Sequence, residues 1–199
     1  MTALGPHPVS TIVLLSVVAC WAAFGLAFAF RPKAPRSEET KRDSRSFLGI
    51  GLQMVSSILL WIFVRMPPRP IFRMPLAGEI IVGGITVLIA VASVCLVVAA
   101  RRALGRQWAY AARLVRGHEL VTTGAYSLVR NPIYTGMLGM WVATGLALSY
   151  WLTFLLALAI FLLGTTIRVR TEEKLLRQAF GAQFDAYSAR VPSLLPGIY

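Results

Sequence analysis

The chain has 199 residues, of which 57% are hydrophobic and only 14% are charged, and its formal net charge is +12. A soluble domain carries about 25% charged residues, so this composition excludes an ordinary soluble protein and indicates a single membrane domain. The 20 Lys and Arg residues lie between apolar runs, not in one stripe or tail, which argues against nucleic-acid binding and fits loops at a membrane surface.

The first three apolar runs are each predicted to cross the membrane as one helix. Val9 to Phe30 contains no charged residue, and as a helix it would be about 33 Å long, enough for a hydrocarbon core of about 30 Å. Phe47 to Val64 is the second span, and Leu76 to Ala100 is the third. Glu79 lies near one end of the third span, where it can sit at the interface.

A fourth apolar tract follows the polar segment 101–131 and covers residues 132–167. As one helix, Ile133 to Ile167 would be about 52 Å long, too long for one crossing even with tilt. We therefore expect a hairpin of two helices with a break near residues 147–151. The fold class is then an all-α integral membrane protein with about five transmembrane helices, followed by a C-terminal segment, 168–199.

The distribution of basic residues predicts the orientation. The segments 31–45 and 101–131 and the tail after residue 168 are rich in Lys and Arg, whereas the loop 65–75 has fewer and the turn near 149 has none. By the positive-inside rule, the N-terminus is outside and the C-terminus is cytoplasmic, in a cell inner or plasma membrane. The segment 101–131 and the tail should then meet on the cytoplasmic side.

The two cysteines, Cys20 and Cys95, each lie inside an apolar run and do not form a C-x-x-C pattern. They are expected to be small buried side chains, so the sequence predicts neither a metal site nor a disulfide.

The tail opens with charged residues at helical spacing. Arg168 and Glu172 are four residues apart, as are Glu173 and Arg177, so each pair shares a helix face. Two surface ion pairs would be an ordinary explanation. However, carboxylates beside a membrane span need a partner or a use, and the cytoplasmic segment across from them contains Arg130 as its anchored arginine.

The stretch from His118 to Tyr134 is also polar and prone to turns. Asn131 and Pro132 are typical of a helix start, Gly124 is typical of a turn, and a single His near a membrane is commonly solvated. Each residue has an ordinary explanation, but their combination is specific.

The combined pattern resembles the isoprenylcysteine carboxyl methyltransferase family, and membrane phospholipid methyltransferases share part of it. The pattern is H-x-L-V-T-x-G-x-Y-x-x-x-R-N-P-x-Y, a helical hairpin, R-x-x-x-E-E, F-G-x-x-F-x-x-Y and V-P-x-x-x-P. Its residues are His118, Leu120, Val121, Thr122, Gly124, Tyr126, Arg130, Pro132, Tyr134, Arg168, Glu172, Glu173, Leu176, Phe180, Gly181, Phe184, Tyr187, Val191, Pro192 and Pro196. The likeness covers about 80 residues of the C-terminal half.

The resemblance implies a membrane methyltransferase that uses S-adenosylmethionine and releases S-adenosylhomocysteine. The two polar stretches would close a cytoplasmic cofactor pocket, and Arg168 would face a lipophilic acceptor that enters from the lipid. The implied cofactor contacts are His118, Glu119, Leu120, Val121, Tyr126, Asn131, Pro132, Ile133, Tyr134 and Glu172.

The chemistry of these side chains agrees with that implication. Glu172 suits the cofactor's ammonium, Arg130 suits its carboxylate, and Tyr126 or Tyr134 can offer a ring face to the adenine or the sulfonium. Asn131 is a departure, because prenylcysteine methyltransferases usually have His there. Asn keeps a hydrogen-bonding side chain but does not titrate, so the change bears on the acceptor more than on the cofactor.

The acceptor is left open by the sequence. A prenylcysteine carboxylate is already ionised and needs no base, whereas a phospholipid or other amine would, and a thiol is a third choice. Two other classes are also open: a sterol-type reductase that uses NADPH in a similar pocket, and a non-enzymatic membrane scaffold. A transporter is disfavoured because the spans lack ionisable residues near their middle.

Overall fold

A computed structural model describes residues 8–29, 39–42, 44–105, 113–115 and 120–195, of which 39–42 and 113–115 are described by their backbone alone. The helices and strands in chain order are α1 (Pro8–Ala29), β1 (Glu39–Arg42), α2 (Arg45–Ile62), α3 (Leu76–Leu104), β2 (Arg113–Val115), α4 (Ala125–Leu128), α5 (Pro132–Leu148), α6 (Trp151–Phe180) and α7 (Ala182–Ser188).

The predicted membrane spans are helices. Helices α1, α2, α3 and α6 are each long and apolar enough to cross a bilayer, and α5 is a shorter apolar helix. The chain is therefore a multi-pass integral membrane protein. The predicted hairpin break is confirmed, because α5 ends at Leu148 and α6 begins at Trp151. Pro132 is the first residue of α5, as expected for a proline without an N–H to donate.

Helix α6 is longer than the predicted span. It continues without interruption past residue 167 to Phe180, so Arg168, Glu172 and Glu173 stand on the same rigid helix that crosses the membrane. Gly181 then separates α6 from α7, with a φ of 50° that glycine adopts readily. The packing of the apolar part of α6 therefore determines where its polar end lies.

Helix α5 lies between two groups of helices. Helices α1 and α3 pack on one side of it, and α2 packs along α6 on the other. Val17 of α1, Val97 of α3 and Met140 of α5 are fully buried in one core. Trp141 of α5 packs with Leu60 and Phe161 in the other, where its ring stacks on Phe161 at 5.0 Å between centroids. Helix α5 therefore joins the two cores.

The first and third loops meet at one end of the bundle, and the second and fourth meet at the other, as expected for helices that alternate in direction. Strand β1, from the first loop, pairs antiparallel with β2, from the segment 101–131. At the other end, the backbone N–H of Arg65 donates to the carbonyl of Leu148 at 2.7 Å, beside a bridge between Val64 and Ser149. The two-stranded ribbon was not predicted. Which end faces the cytoplasm stays a prediction.

Glu79 lies in the first turn of α3, at the end of the bundle near the start of α1, and is buried. Its carboxylate accepts hydrogen bonds from the Ser10 hydroxyl at 2.6 Å and from the Ser10 backbone N–H at 3.1 Å. Because Ser10 is in the first turn of α1, Glu79 satisfies a backbone donor that has no partner within the helix. Its role is to hold α1 against α3.

Helices α2 and α6 approach each other closely at two glycines. A Cβ on Gly49 would lie 2.7 Å from the carbonyl oxygen of Gly164, and a Cβ on Gly164 would lie 2.7 Å from that of Gly49. Small residues at such crossings let helix backbones pack tightly in a membrane. The Gly49 position also leaves room for the side-chain methylenes of Arg168.

We expect Gly49→Ala to destabilise the protein by about 1–3 kcal/mol, because the new methyl group would meet a backbone carbonyl that cannot move without separating the helices. Gly51→Ala is the matched control, since a Cβ there meets nothing within 4 Å; alanine's helix propensity should leave it neutral or more stable. Unfolding in mixed detergent micelles measures both. Equal stability of the two variants would contradict the close crossing.

Candidate active site

The candidate site lies where α4, the start of α5, the polar end of α6 and the chain after α7 come together. Helix α6 supplies Arg168, Glu172 and Glu173, and the start of α5 supplies Asn131 and Tyr134. The predicted meeting of the segment 101–131 with the C-terminal part of the chain is confirmed for the residues described, since Arg130 contacts Glu173.

Arg130 and Glu173 form the central ion pair. Arg130 Nε lies 3.1 Å from Glu173 Oε1, and the two side chains are only 12% and 16% exposed. Arg130 Nη1 also donates to the carbonyl of Ser188 at 2.7 Å and to that of Val191. A buried ion pair is stable only when additional hydrogen bonds satisfy both groups, and these carbonyls provide them.

The chain after α7 is tied to the start of α5 by backbone and side-chain hydrogen bonds. The backbone N–H groups of Arg130 and Asn131 donate to the carbonyls of Pro192 and Ser193 at 2.8 and 3.1 Å. The Asn131 amide nitrogen donates to Glu173 Oε1 at 2.9 Å and contacts the Ser193 carbonyl at 3.2 Å. Asn131 thus connects α6 to the tail, and its side chain does not cap α5.

Glu172 occupies different surroundings from Glu173. Its carboxylate accepts a hydrogen bond from the Tyr134 hydroxyl and lies 3.8 Å from Arg168 Nη2. Its side chain is 29% exposed, compared with 16% for Glu173, so Glu172 is the more accessible of the two carboxylates. The guanidinium of Arg168 sits over the Tyr134 ring, 4.9 Å from its centroid, in cation–π contact.

Tyr126 completes this side of the site. It is buried beside Ala100 and Ala125, with Val121 and Ile133 packed against the cluster. Its backbone carbonyl accepts a hydrogen bond from the Tyr187 hydroxyl at 2.6 Å. Burial raises the pKa of Tyr126, with a further contribution from nearby Glu172, and burial raises that of Tyr187 to about 12. Both phenols are therefore neutral at physiological pH, and Tyr187 remains a donor.

The predicted site residues are brought together to different degrees. His118 and Glu119 lie outside the described residues, and Leu120 and Val121 are half-buried before the turn at Gly124. Gly124 has a φ of 61°, which fits its predicted role as a turn residue. Asn131, Pro132 and Tyr134 are buried at the start of α5, while Ile133 is half-buried.

Only one of the two ion pairs that helix spacing would explain is formed. Glu173 does not pair with Arg177 on its own helix face; it pairs with Arg130, and Arg177 pairs instead with Asp185 at 2.7 Å. The rule that residues four apart pair with each other describes isolated helices. In the folded protein, Arg130 is a more buried partner for Glu173 than Arg177 is. The pair of Arg168 and Glu172 is present, although at 3.8 Å it is a long one.

One residue at the site was not predicted from the sequence. Gln53 of α2 accepts a hydrogen bond from Arg168 Nη1 at 3.0 Å and is buried. A glutamine within an apolar span was the available signal, because buried polar groups in a membrane need partners.

The phospholipid methyltransferase family is described by a sequence model that matches residues 80–183, just over half of the chain. The chain belongs to the phospholipid methyltransferase family. The matched range contains the ion pair of Arg130 and Glu173 and the cluster of Tyr134, Arg168 and Glu172. It begins after α2, so Gln53 lies outside it.

Several curated proteins are similar in sequence to this chain. Protein-S-isoprenylcysteine O-methyltransferase B of Arabidopsis thaliana is 35% identical over 79 residues, 40% of this chain and 40% of the relative. Protein-S-isoprenylcysteine O-methyltransferase of Schizosaccharomyces pombe is 33% identical over 81 residues, 41% and 34% of the two chains. Nickel-cobalt-cadmium resistance protein NccN of Alcaligenes xylosoxydans xylosoxydans is 37% identical over 100 residues, 47% and 44%. Each match spans less than half of the relative's length.

We expect Glu173→Ala to lower the free energy of unfolding by about 3 kcal/mol, because Arg130 would keep a largely buried charge without its carboxylate. Arg177→Ala is the control, since its pair with Asp185 is exposed and should contribute less than about 1 kcal/mol. Denaturant unfolding of the detergent-purified variants measures the difference. Similar losses in both variants would show that the ion pair of Arg130 and Glu173 has no special structural role.

Proposed function

We propose that this protein is a membrane-embedded methyltransferase that uses S-adenosylmethionine to methylate a lipophilic acceptor, in the first instance a prenylcysteine carboxylate. The observation that carries the proposal is the separation of roles between the two adjacent carboxylates. Glu173 is held in an ion pair, whereas Glu172 is more accessible and sits among Tyr134 and Arg168. Family membership and the two methyltransferase relatives support it.

The described side chains fit the cofactor's charges in most respects. Glu172 would bind the ammonium group, and the aromatic faces of Tyr134 and Tyr126 suit the adenine or the sulfonium. Arg130 is less suited to the cofactor's carboxylate than the sequence implied. To reach it, the guanidinium would give up hydrogen bonds to Glu173, Ser188 and Val191. In this proposal Arg130 acts by holding the site together.

Arg168 would bind and orient the acceptor. When bound, S-adenosylmethionine would supply an electrophilic methyl group, which would pass to the acceptor oxygen as the C–S bond breaks and its electron pair stays on sulfur. Arg168 lies 3.8 Å from Glu172 and can hold an anionic acceptor beside the methyl donor. Alignment of this kind, with water excluded, contributes roughly 7–11 kcal/mol to such reactions.

The hydrogen bonding of the carboxylates favours an acceptor that is already ionised. Glu173 accepts from Arg130, Asn131 and Ser193, so it is not available to take a proton. Glu172 accepts from Tyr134 and would bind the cofactor. An amine acceptor needs a base to remove its proton, and so does a thiol, whose nucleophilic form is the thiolate; a carboxylate does not. A phospholipid amine or a thiol acceptor is therefore the weaker alternative.

Other functions have less support. A sterol-type reductase using NADPH is disfavoured because the matched family is described by methyl transfer, and a scaffold would not need a buried Arg168 above a tyrosine ring. The name of NccN describes resistance to metals. In the part of the chain that the structure describes, no group of three His, Cys, Asp or Glu side chains could hold a metal ion. We therefore do not propose a metal-related function from that name.

We expect Glu172→Gln to abolish micromolar binding of S-adenosylhomocysteine without unfolding the protein, since the amide cannot pair with the ligand's ammonium. Isothermal titration calorimetry of the detergent-purified chain measures this. Asp185→Asn is the control, because it removes an exposed carboxylate from the same end of the bundle. Unchanged binding by Glu172→Gln would reject Glu172 as the ammonium ligand.

We expect Arg168→Lys to bind S-adenosylhomocysteine nearly as well as the wild type and to lose most of its methyl transfer. Lysine keeps a positive charge near Glu172 but loses the planar fork that orients a carboxylate. Transfer of a labelled methyl group to N-acetyl-S-farnesylcysteine, beside the calorimetric titration, separates the two effects. Full transfer activity in this variant would remove Arg168 from acceptor recognition.

A further inference from the structure

We propose that Gln53 is a positioning residue that fixes the guanidinium of Arg168 and, through it, the acceptor. The inference rests on the proposed function, in which Arg168 binds the acceptor. It assigns a part in the reaction to α2, which lies outside the range that the family model matches.

The hydrogen bonds of Gln53 leave only one orientation for its amide. Arg168 has donors and no acceptor, so the atom that meets Arg168 Nη1 at 3.0 Å must be the amide oxygen. The amide nitrogen then donates to the Thr165 hydroxyl oxygen at 2.9 Å. Thr165 is fully buried one turn before Arg168 on α6, so both ends of the amide are held by the same helix.

Arg168 is consequently fixed from three directions. Gln53 holds it from α2, the ring of Tyr134 holds it from α5, and Glu172 lies one turn further along α6. The close crossing of α2 and α6 makes the first contact feasible. Gly49 lies one turn before Gln53, and its missing side chain admits the methylenes of Arg168 between the helices.

A neutral amide suits this position better than a carboxylate or an apolar side chain. It accepts a hydrogen bond from Arg168 without neutralising the charge that an anionic acceptor needs. A second polar contact also holds α2 against α6 one turn away, where the Ser56 hydroxyl donates to the Ala157 carbonyl at 2.5 Å. The same hydroxyl accepts a hydrogen bond from Trp141 Nε1 at 3.1 Å. Ser56 is also buried, but its hydrogen bonds go to Ala157 and Trp141 and not to Arg168, which makes it the matched control.

The first arm of the test is kinetic. With N-acetyl-S-farnesylcysteine as acceptor, Gln53→Leu should lower kcat/KM for the acceptor about tenfold or more, the effect of losing a hydrogen bond to a charged group. The KM for S-adenosylmethionine should not change. Gln53→Glu should keep the contact but raise the acceptor KM, because the added charge competes with the acceptor for Arg168. Ser56→Ala should behave as the wild type; equal losses in Gln53→Leu and Ser56→Ala would overturn the proposal.

The second arm needs no acceptor. The rate at which phenylglyoxal modifies Arg168, followed by peptide mass spectrometry, should rise in Gln53→Leu and stay unchanged in Ser56→Ala; equal rates would overturn the positioning role. Failure of the folded wild type to bind S-adenosylhomocysteine would instead reject the proposed function, and the phenylglyoxal rates would still decide whether Gln53 holds Arg168.

Discussion

The ion pair between Arg130 and Glu173 is the interaction on which the candidate site depends. It joins the residue just before α5 to the polar end of α6, and the same guanidinium binds two carbonyls near the end of α7. Both charges are largely removed from water, so losing either partner would leave an unfavourable buried charge. The pair also separates two neighbouring carboxylates into one that maintains the structure and one that is available to a ligand.

The long apolar helices place that pair. Helix α6 crosses the membrane and continues as one helix to Phe180, so the packing of α2 on its apolar part determines where its charged turn lies. Helix α5 contacts both groups of helices and starts beside the ion pair. A site made this way stands on rigid elements, which suits a reaction whose main requirement is alignment.

Much of this arrangement follows from the sequence, because hydrophobic length and loop charge are strong local signals. They predicted the spans, the break between α5 and α6, and the approach of Arg130 to the carboxylates. They did not determine that Arg130 pairs with Glu173 and not with Glu172, since helix spacing carries no information about tertiary partners. Gln53 was missed for a related reason: its partner is on another helix, distant in sequence. Asn131, which stands where the resemblance led us to expect His, links Glu173 to Ser193.

Binding of S-adenosylmethionine at the candidate site is tested by ultraviolet cross-linking of the tritium-labelled cofactor to the full chain in lipid nanodiscs, with the labelled peptide identified by mass spectrometry. If the protein binds S-adenosylmethionine at the candidate site, we expect saturable labelling of the peptide that contains Tyr126 and Tyr134 or of the polar end of α6. Unlabelled S-adenosylhomocysteine should compete, and NADPH should not. If the well-folded protein takes up no saturable label, or if NADPH displaces the label, the protein is not a methyltransferase of the proposed kind.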